Sequence, residues 1–181
     1  MKQISLHILD IAENSVRAGA SQIIVILEMD KTSDTLRLEI TDNGSGMEKE
    51  TIDRITDPFF TTRTTRKVGL GLPLLKHHAE TTGGSLLLES FPGKGTRVVA
   101  MFGLNHVDRQ PVGDVAGVLV NLAISSPEID FILDAKSDKG DYHFSSRETA
   151  SFFEGVPLSS PEVAEALKEM ISENLKEIDI V

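Results

Sequence analysis

Hydrophobic and polar positions alternate along this chain with two different periods, and the switches between them mark out its elements. Over residues 4–18 the spacing is helical: Ile4, Ile8 and Ile11 share a side with Ser15, Leu6, Leu9 and Val16 widen that apolar surface, and Gly19 is placed to end the helix. His7, Asp10, Asn14 and Arg17 fall on a polar stripe of the same helix, which periodicity alone reads as a solvent face. Ser21–Met29 is a β run, residues 31–34 a polar turn, and Thr35–Thr41 a strand in which Leu36, Leu38 and Ile40 alternate with polar residues. A short helix is expected over Glu48–Ile55, broken by Asp57-Pro58, and a longer one over Leu72–Thr82, ended by Gly83-Gly84. Ser85–Phe91 and Thr96–Phe102 then read as strands joined by the turn Pro92-Gly93-Lys94-Gly95. Further on, Val115–Ile124 fits a helix or an apolar strand, and Asp130–Lys136 and Tyr142–Ser146 form a hairpin around Asp138-Lys139-Gly140. Ser160-Pro161 starts a capped helix with Val163, Leu167, Met170, Ile171, Leu175 and Ile178 on one face. That stripe packs on the chain's own core, or on a partner or a second copy.

Composition narrows the class without naming a function. The 181 residues, 40% hydrophobic and 25% charged, suit one globular core with a substantial appendage. There is no apolar run of membrane-spanning length, no cationic leader and no cysteine, so a cytoplasmic protein without disulfides or thiolate metal sites is expected. The charge is uneven. Residues 1–112 carry 13 Lys/Arg against 14 Asp/Glu, a net of −1, whereas residues 113–181 carry 5 against 14, a net of −9. That balance disfavours general nucleic-acid binding and leaves the C-terminal part as a solvated or protein-docking surface. His77 and His78 are adjacent on a helix and point in different directions, so no zinc pair is expected there.

Several stretches carry chemistry. Asp42-Asn43-Gly44-Ser45-Gly46-Met47 sets an acid, an amide and two glycines just past a strand end; taken alone, it reads first as an Asn-Gly hairpin turn. Asp10 and Asn14, one helical turn or about 6 Å apart along the axis, suit a shared ion or water, with Glu13 at the edge of their stripe. Phe59 and Phe60 precede the hydroxyl-rich, basic run Thr61-Thr62-Arg63-Thr64-Thr65-Arg66-Lys67, which leads into Gly69-Leu70-Gly71-Leu72 at a helix N-terminus, a ready anion site. It is neither a Walker loop nor a three-glycine dinucleotide fingerprint.

Taken together and in order, these motifs resemble the GHKL superfamily, the histidine-kinase-like ATPases. Asp10-Ile11-Ala12-Glu13-Asn14 resembles its first motif, Asp42-Asn43-Gly44-Ser45-Gly46 its adenine-binding glycine motif, and Asp57-Pro58-Phe59-Phe60-Thr61-Thr62-Arg63 its phenylalanine motif. Gly69-Leu70-Gly71-Leu72 and Gly93-Lys94-Gly95-Thr96 are similar to its second and third glycine motifs. The resemblance implies the Bergerat fold, a two-layer α/β sandwich with a mixed, mostly antiparallel sheet covered by helices on one face. It implies an ATP-binding domain over residues 1–112, with residues 113–181 an acidic α+β extension of unknown role. It also assigns roles. Asp42 would accept from the adenine amine, Gly44 and Gly46 would let the backbone approach the base, with Met47 beside them, and Thr96 would add a hydroxyl near the same edge. Asn14 would ligate Mg²⁺. Phe60, Thr61, Thr62, Arg63, Lys67, Gly69, Leu70, Gly71 and Leu72 would enclose the triphosphate. Asp10 stands where the hydrolytic and serine-kinase branches usually carry Glu, one methylene longer, and would be the base; Glu13 is the alternative.

The reading expected is therefore Mg²⁺-dependent ATP hydrolysis or phosphotransfer to a partner protein. The alternative is a nucleotide-dependent binding module with little or no turnover. No phosphoacceptor-histidine hairpin is expected within these residues, and His7 is not read as a phosphoacceptor. ATP or ADP, a protein partner and a homodimer are the associations in view.

Overall fold

The computed structural model describes the backbone of residues 2–56, 71–153 and 155–181, and their side chains except those of residues 54–56. The elements run in the order α1 (Ile4–Arg17), β1 (Gln22–Asp30), β2 (Thr35–Asp42), α2 (Lys49–Thr56), α3 (Gly71–Thr81), β3 (Ser85–Phe91), β4 (Gly95–Gly103), α4 (Val115–Ser125), β5 (Asp130–Ser137), β6 (Gly140–Ser145), α5 (Ser146–Phe152) and α6 (Pro161–Glu177). The strands form a six-stranded sheet in the order β3-β4-β2-β1-β5-β6. Every neighbouring pair is antiparallel except β1 and β5, so the sheet is mixed and mostly antiparallel, as the resemblance implies. Residues 113–181 thus continue the same sheet beyond β1.

The period of two along each strand decides which residues make the core. Ile23, Val25 and Leu27 of β1 lie beside Leu36, Leu38 and Ile40 of β2, Val98, Ala100 and Phe102 of β4, and Phe131, Leu133 and Ala135 of β5, all buried on one face. Across that face α3 packs on β3 and β4, α1 on β1 and β2, α4 on β5, and α6 on β6. The opposite face carries the in-between residues, tied by an ion-pair ladder. Arg37 bonds Glu28 at 2.6 Å and also Glu39, and Arg97 bonds Glu39 at 2.8 Å and Glu89 at 2.7 Å. Glu39 is buried, and the Arg97 hydrogen bond holds its carboxyl below the usual range.

Of three local readings, one left open is decided, one is corrected and one is met apart from a single residue. The segment left open as helix or strand is the helix α4, buried on nearly every side because α1, α6 and β5 all pack against it. Ser160 occupies the N-cap of α6, but its hydroxyl makes no capping bond; Pro161 at the first position sets the start. The α6 stripe packs on the chain's own core through Leu167, Ile171, Leu175 and Ile178, while Met170, 39% exposed, has rotated off it. Ile171 is wholly buried, so Ile171→Ala is expected to cost about 2–5 kcal/mol, read as a lower urea midpoint.

Candidate nucleotide-binding site

The site lies where the C-terminal half of α1 meets the ends of β2 and β4. Helix α1 begins with Ile4 and Ser5 donating their N–H groups to Pro111 and Val112 carbonyls, so the segment before α4 satisfies its first turn. It ends at Arg17, and Gly19, in the left-handed region at φ 74°, turns the chain into β1. A cavity of about 380 Å³ opens there, within the range of small-molecule sites. Its walls include Asn14 and Ser15 of α1, Asp42, Gly46 and Met47 of the β2 loop, and Leu72 and Thr96.

Asp42 is an acidic group of this wall, which Arg17 also lines, and is only 7% exposed. Its Oδ1 accepts the Gly44 N–H at 2.8 Å and its Oδ2 accepts the Ser15 hydroxyl at 2.6 Å. Asn43 faces the other way: its Oδ1 accepts N–H groups from Ser21 and Gln22, pinning the loop to the start of β1. The Asn-Gly pair is therefore not a two-residue hairpin turn. It leads into a loop laid against the β3–β4 turn, where Gly93 donates to the Ser45 carbonyl at 2.7 Å and Met47 donates to Ser90 Oγ at 2.9 Å. That close approach fixes two glycines. A Cβ on Gly46 would lie 2.0 Å from the Phe91 carbonyl oxygen, and one on Gly95 would lie 1.9 Å from the Asp42 carbonyl oxygen. Both residues also have positive φ, which other residues rarely adopt.

His7, Asp10 and Asn14 of the α1 stripe point at α3 and at this cavity, while Arg17 at its end is exposed. His7 is fully buried, with Nε2 3.0 Å from Nδ1 of His78. Asp10 lies against Gly71, where a Cβ would come within 1.8 Å of its Oδ2, and that oxygen is buried without a hydrogen-bond partner among the described residues. Burial pushes the Asp10 carboxyl above the usual range, opposed by Arg17. Asn14 reaches the cavity, and its Oδ1 accepts from Arg17 at 2.9 Å. Glu13 does not: it pairs with Arg17 at 3.0 Å and lines a separate groove between α1 and α4 with Leu9 and Leu122.

Of the residues singled out from sequence, Asn14, Asp42, Gly46, Met47, Leu72 and Thr96 line one cavity, with Gly44 bonded to Asp42 and Gly71 touching Asp10. Phe60, Thr61, Thr62, Arg63, Lys67, Gly69 and Leu70 lie outside the described residues. Among the residues that escaped the sequence reading are two hydroxyls bonded to the site, Ser15 and Ser90. Ser15 sits on the apolar side of α1, and Ser90 follows Leu86 and Leu88 at inward positions of β3; a hydroxyl on an apolar face needs a buried partner, and that is the signal each offered.

The histidine contact has a consequence for stability. Burial, helped by His78, lowers His7 from 6.5 to about 4. The unfolded chain then binds this proton first, so stability is complete above pH 6.5 and is lost as pH falls toward 4. The expected loss across that window is about 3 kcal/mol, and it flattens in His7→Asn in chemical denaturation at stepped pH.

Among the described residues no group of three or more His, Asp or Glu side chains is placed to hold a metal ion, and no helix is long and apolar enough to cross a membrane. Residues 2–106 match the family model "Histidine kinase-, DNA gyrase B-, and HSP90-like ATPase". The chain is similar to the sensor protein kinase FleS of Pseudomonas aeruginosa, 40% identical over 89 residues, which are 49% of this chain and 22% of FleS. It is also similar to the non-motile and phage-resistance protein of Caulobacter vibrioides, 32% identical over 120 residues, 63% of this chain and 14% of that protein. The chain thus spans less than a quarter of the length of these curated relatives. In fold it is similar to the crystal structure of the N-terminal domain of a DNA repair protein, with a TM-score of 0.56 and 19% identity, covering 80% of this chain and 52% of that one. Through residues 2–106, more than half its length, the chain belongs to the histidine kinase-, DNA gyrase B- and HSP90-like ATPase family.

Proposed function

We propose that this cavity binds ATP with Mg²⁺ and that the chain hydrolyses it or passes its terminal phosphoryl group to a partner protein. The observation that carries the reading is Asp42: a buried carboxylate in the cavity wall, held by Gly44 and Ser15. A buried, oriented acceptor of this kind suits the exocyclic amine of adenine, in a charge-assisted contact that guanine, with a carbonyl at C6, does not offer at that position. Asn14 supplies the amide oxygen for Mg²⁺, a hard cation that takes few protein ligands. For that, its Oδ1 must exchange the Arg17 guanidinium for the ion. Gly71 and Leu72, at the start of α3, face the phosphate end. The basic and hydroxyl residues from Thr61 to Lys67 are assigned there by the family resemblance alone. Asp10, against Gly71, is the base or nucleophile-orienting group; Glu13, turned to the other groove, is the weaker candidate.

A second reading rests on Arg17, which holds both Asn14 and Glu13, and on the short reach of Asp10. Together they suit slow turnover, with ATP acting as a switch that a partner reads. Calorimetric titration with Mg-ATP, followed by phosphate release on the same samples, separates the two. Micromolar binding with measurable release supports the enzyme. Binding without release supports the switch, and absence of binding removes both.

A further inference from the structure

We infer that Ser90, which does not line the cavity, is a specificity-positioning residue that fixes the Thr96 hydroxyl as an acceptor toward the ligand and so rejects 6-oxo purines. The inference rests on the adenine reading of the site and deepens it. Ser90 is buried, and among the described residues its Oγ has three contacts. Met47 N–H donates to it at 2.9 Å, the Gly95 carbonyl oxygen lies at 3.0 Å, and Thr96 Oγ1 lies at 2.9 Å. The proton count settles the directions. An amide N–H only donates and a carbonyl oxygen only accepts, while a serine hydroxyl has one hydrogen to give. If that hydrogen goes to Gly95, all three contacts are satisfied only when Thr96 donates its own hydrogen to Ser90. If it goes to Thr96, two buried oxygens are left facing each other at 3.0 Å with no hydrogen between them.

Thr96 lies opposite Asp42 in the β2–β4 register and opposite Ser90 in the β3–β4 register, and it lines the cavity. With its hydrogen spent on Ser90, it offers only lone pairs to a ligand. Asp42 offers only lone pairs as well. Two acceptors at one edge suit an exocyclic amine, which has two hydrogens. They repel a carbonyl at the same position, which leaves buried acceptors unpaired. Without Ser90, the Thr96 hydroxyl is free to turn and donate to such a carbonyl.

The test is competition between ATP and inosine triphosphate, which carries a 6-carbonyl in place of the amine. Dissociation constants are measured for wild type, Ser90→Ala and Ser90→Thr. The expected result is a fall of about tenfold in the ATP-over-ITP ratio for Ser90→Ala, with the ratio restored in Ser90→Thr. An equal loss for both nucleotides in Ser90→Ala overturns the inference, because it means that Ser90 only props the Met47 loop. If Ser90→Ala does not fold, Ser90→Cys keeps the volume, replaces the oxygen with a weak sulfur acceptor, and reads the same ratio. Wild type that binds neither nucleotide overturns the adenine reading as well; wild type that binds ATP while the ratio stays fixed overturns the role of Ser90 alone.

Discussion

Asp42→Asn is expected to weaken ATP binding by about a hundredfold or more while leaving the protein folded. The local bonds explain why the fold survives. The new side chain keeps an oxygen for the Gly44 N–H and turns its amide toward Ser15. Ser15 accepts that bond readily, because its own hydrogen has a second acceptor in the Ile11 carbonyl at 3.2 Å. The interior thus remains paired, and the change falls on the ligand. An amide NH₂ now presents a hydrogen where the adenine amine presents its own, and two donors meet in a wall that water barely reaches. A charge-assisted bond is lost and a donor is left unpaired, and together these amount to several kcal/mol. Calorimetry reads the affinity, and an unchanged thermal midpoint without nucleotide reads the fold. A loss of less than fivefold would show that Asp42 does not contact the base.

The second large effect is on turnover. Asp10→Asn is expected to lower phosphate release by about 10²–10⁴-fold with ATP affinity within a fewfold of wild type. The carboxylate of Asp10 rests on Gly71, and one of its oxygens is buried without a hydrogen-bond partner among the described residues. Burial raises its pKa, so the acid limb of the rate profile should lie above that of an ordinary aspartate, with activity rising as the group ionises. Gly71→Ala tests the placement separately. The added methyl would overlap the carboxylate at 1.8 Å and drive it off α3, so turnover should fall although both acidic residues remain. Turnover that survives both changes would transfer the role away from Asp10.

How far the sequence reached depended on how local the information was. Strand β2 was legible because its inward residues repeat with period two, β1 as a run of β-branched and apolar residues, and β3 and β4 through the turn residues between them. The helix α4 was not, since it is apolar all round and a helix buried on every side has no stripe to read. The α1 stripe was legible as a pattern and misleading as a surface. His7 is covered by His78, 71 residues away, and no local period reports which element will land on a polar face. Within the site, Asp42 and Thr96 were visible through the glycines beside them. Ser15 and Ser90 were not, because a single hydroxyl is common anywhere and acquires meaning only when strand register sets it beside a particular neighbour.

The parallel pairing of β1 with β5 has a consequence for how the chain can be cut. A fragment stopped after residue 106, the last residue of the family match, would leave the backbone of β1 from Gln22 to Glu28 without its partner strand. It would also uncover the side of α1 against which α4 packs. Such an open border is a template for another chain, and self-association of the fragment follows from it. The end of the family match and the end of the shared sheet therefore fall at different residues, and a fusion or deletion built on this protein has to respect the second.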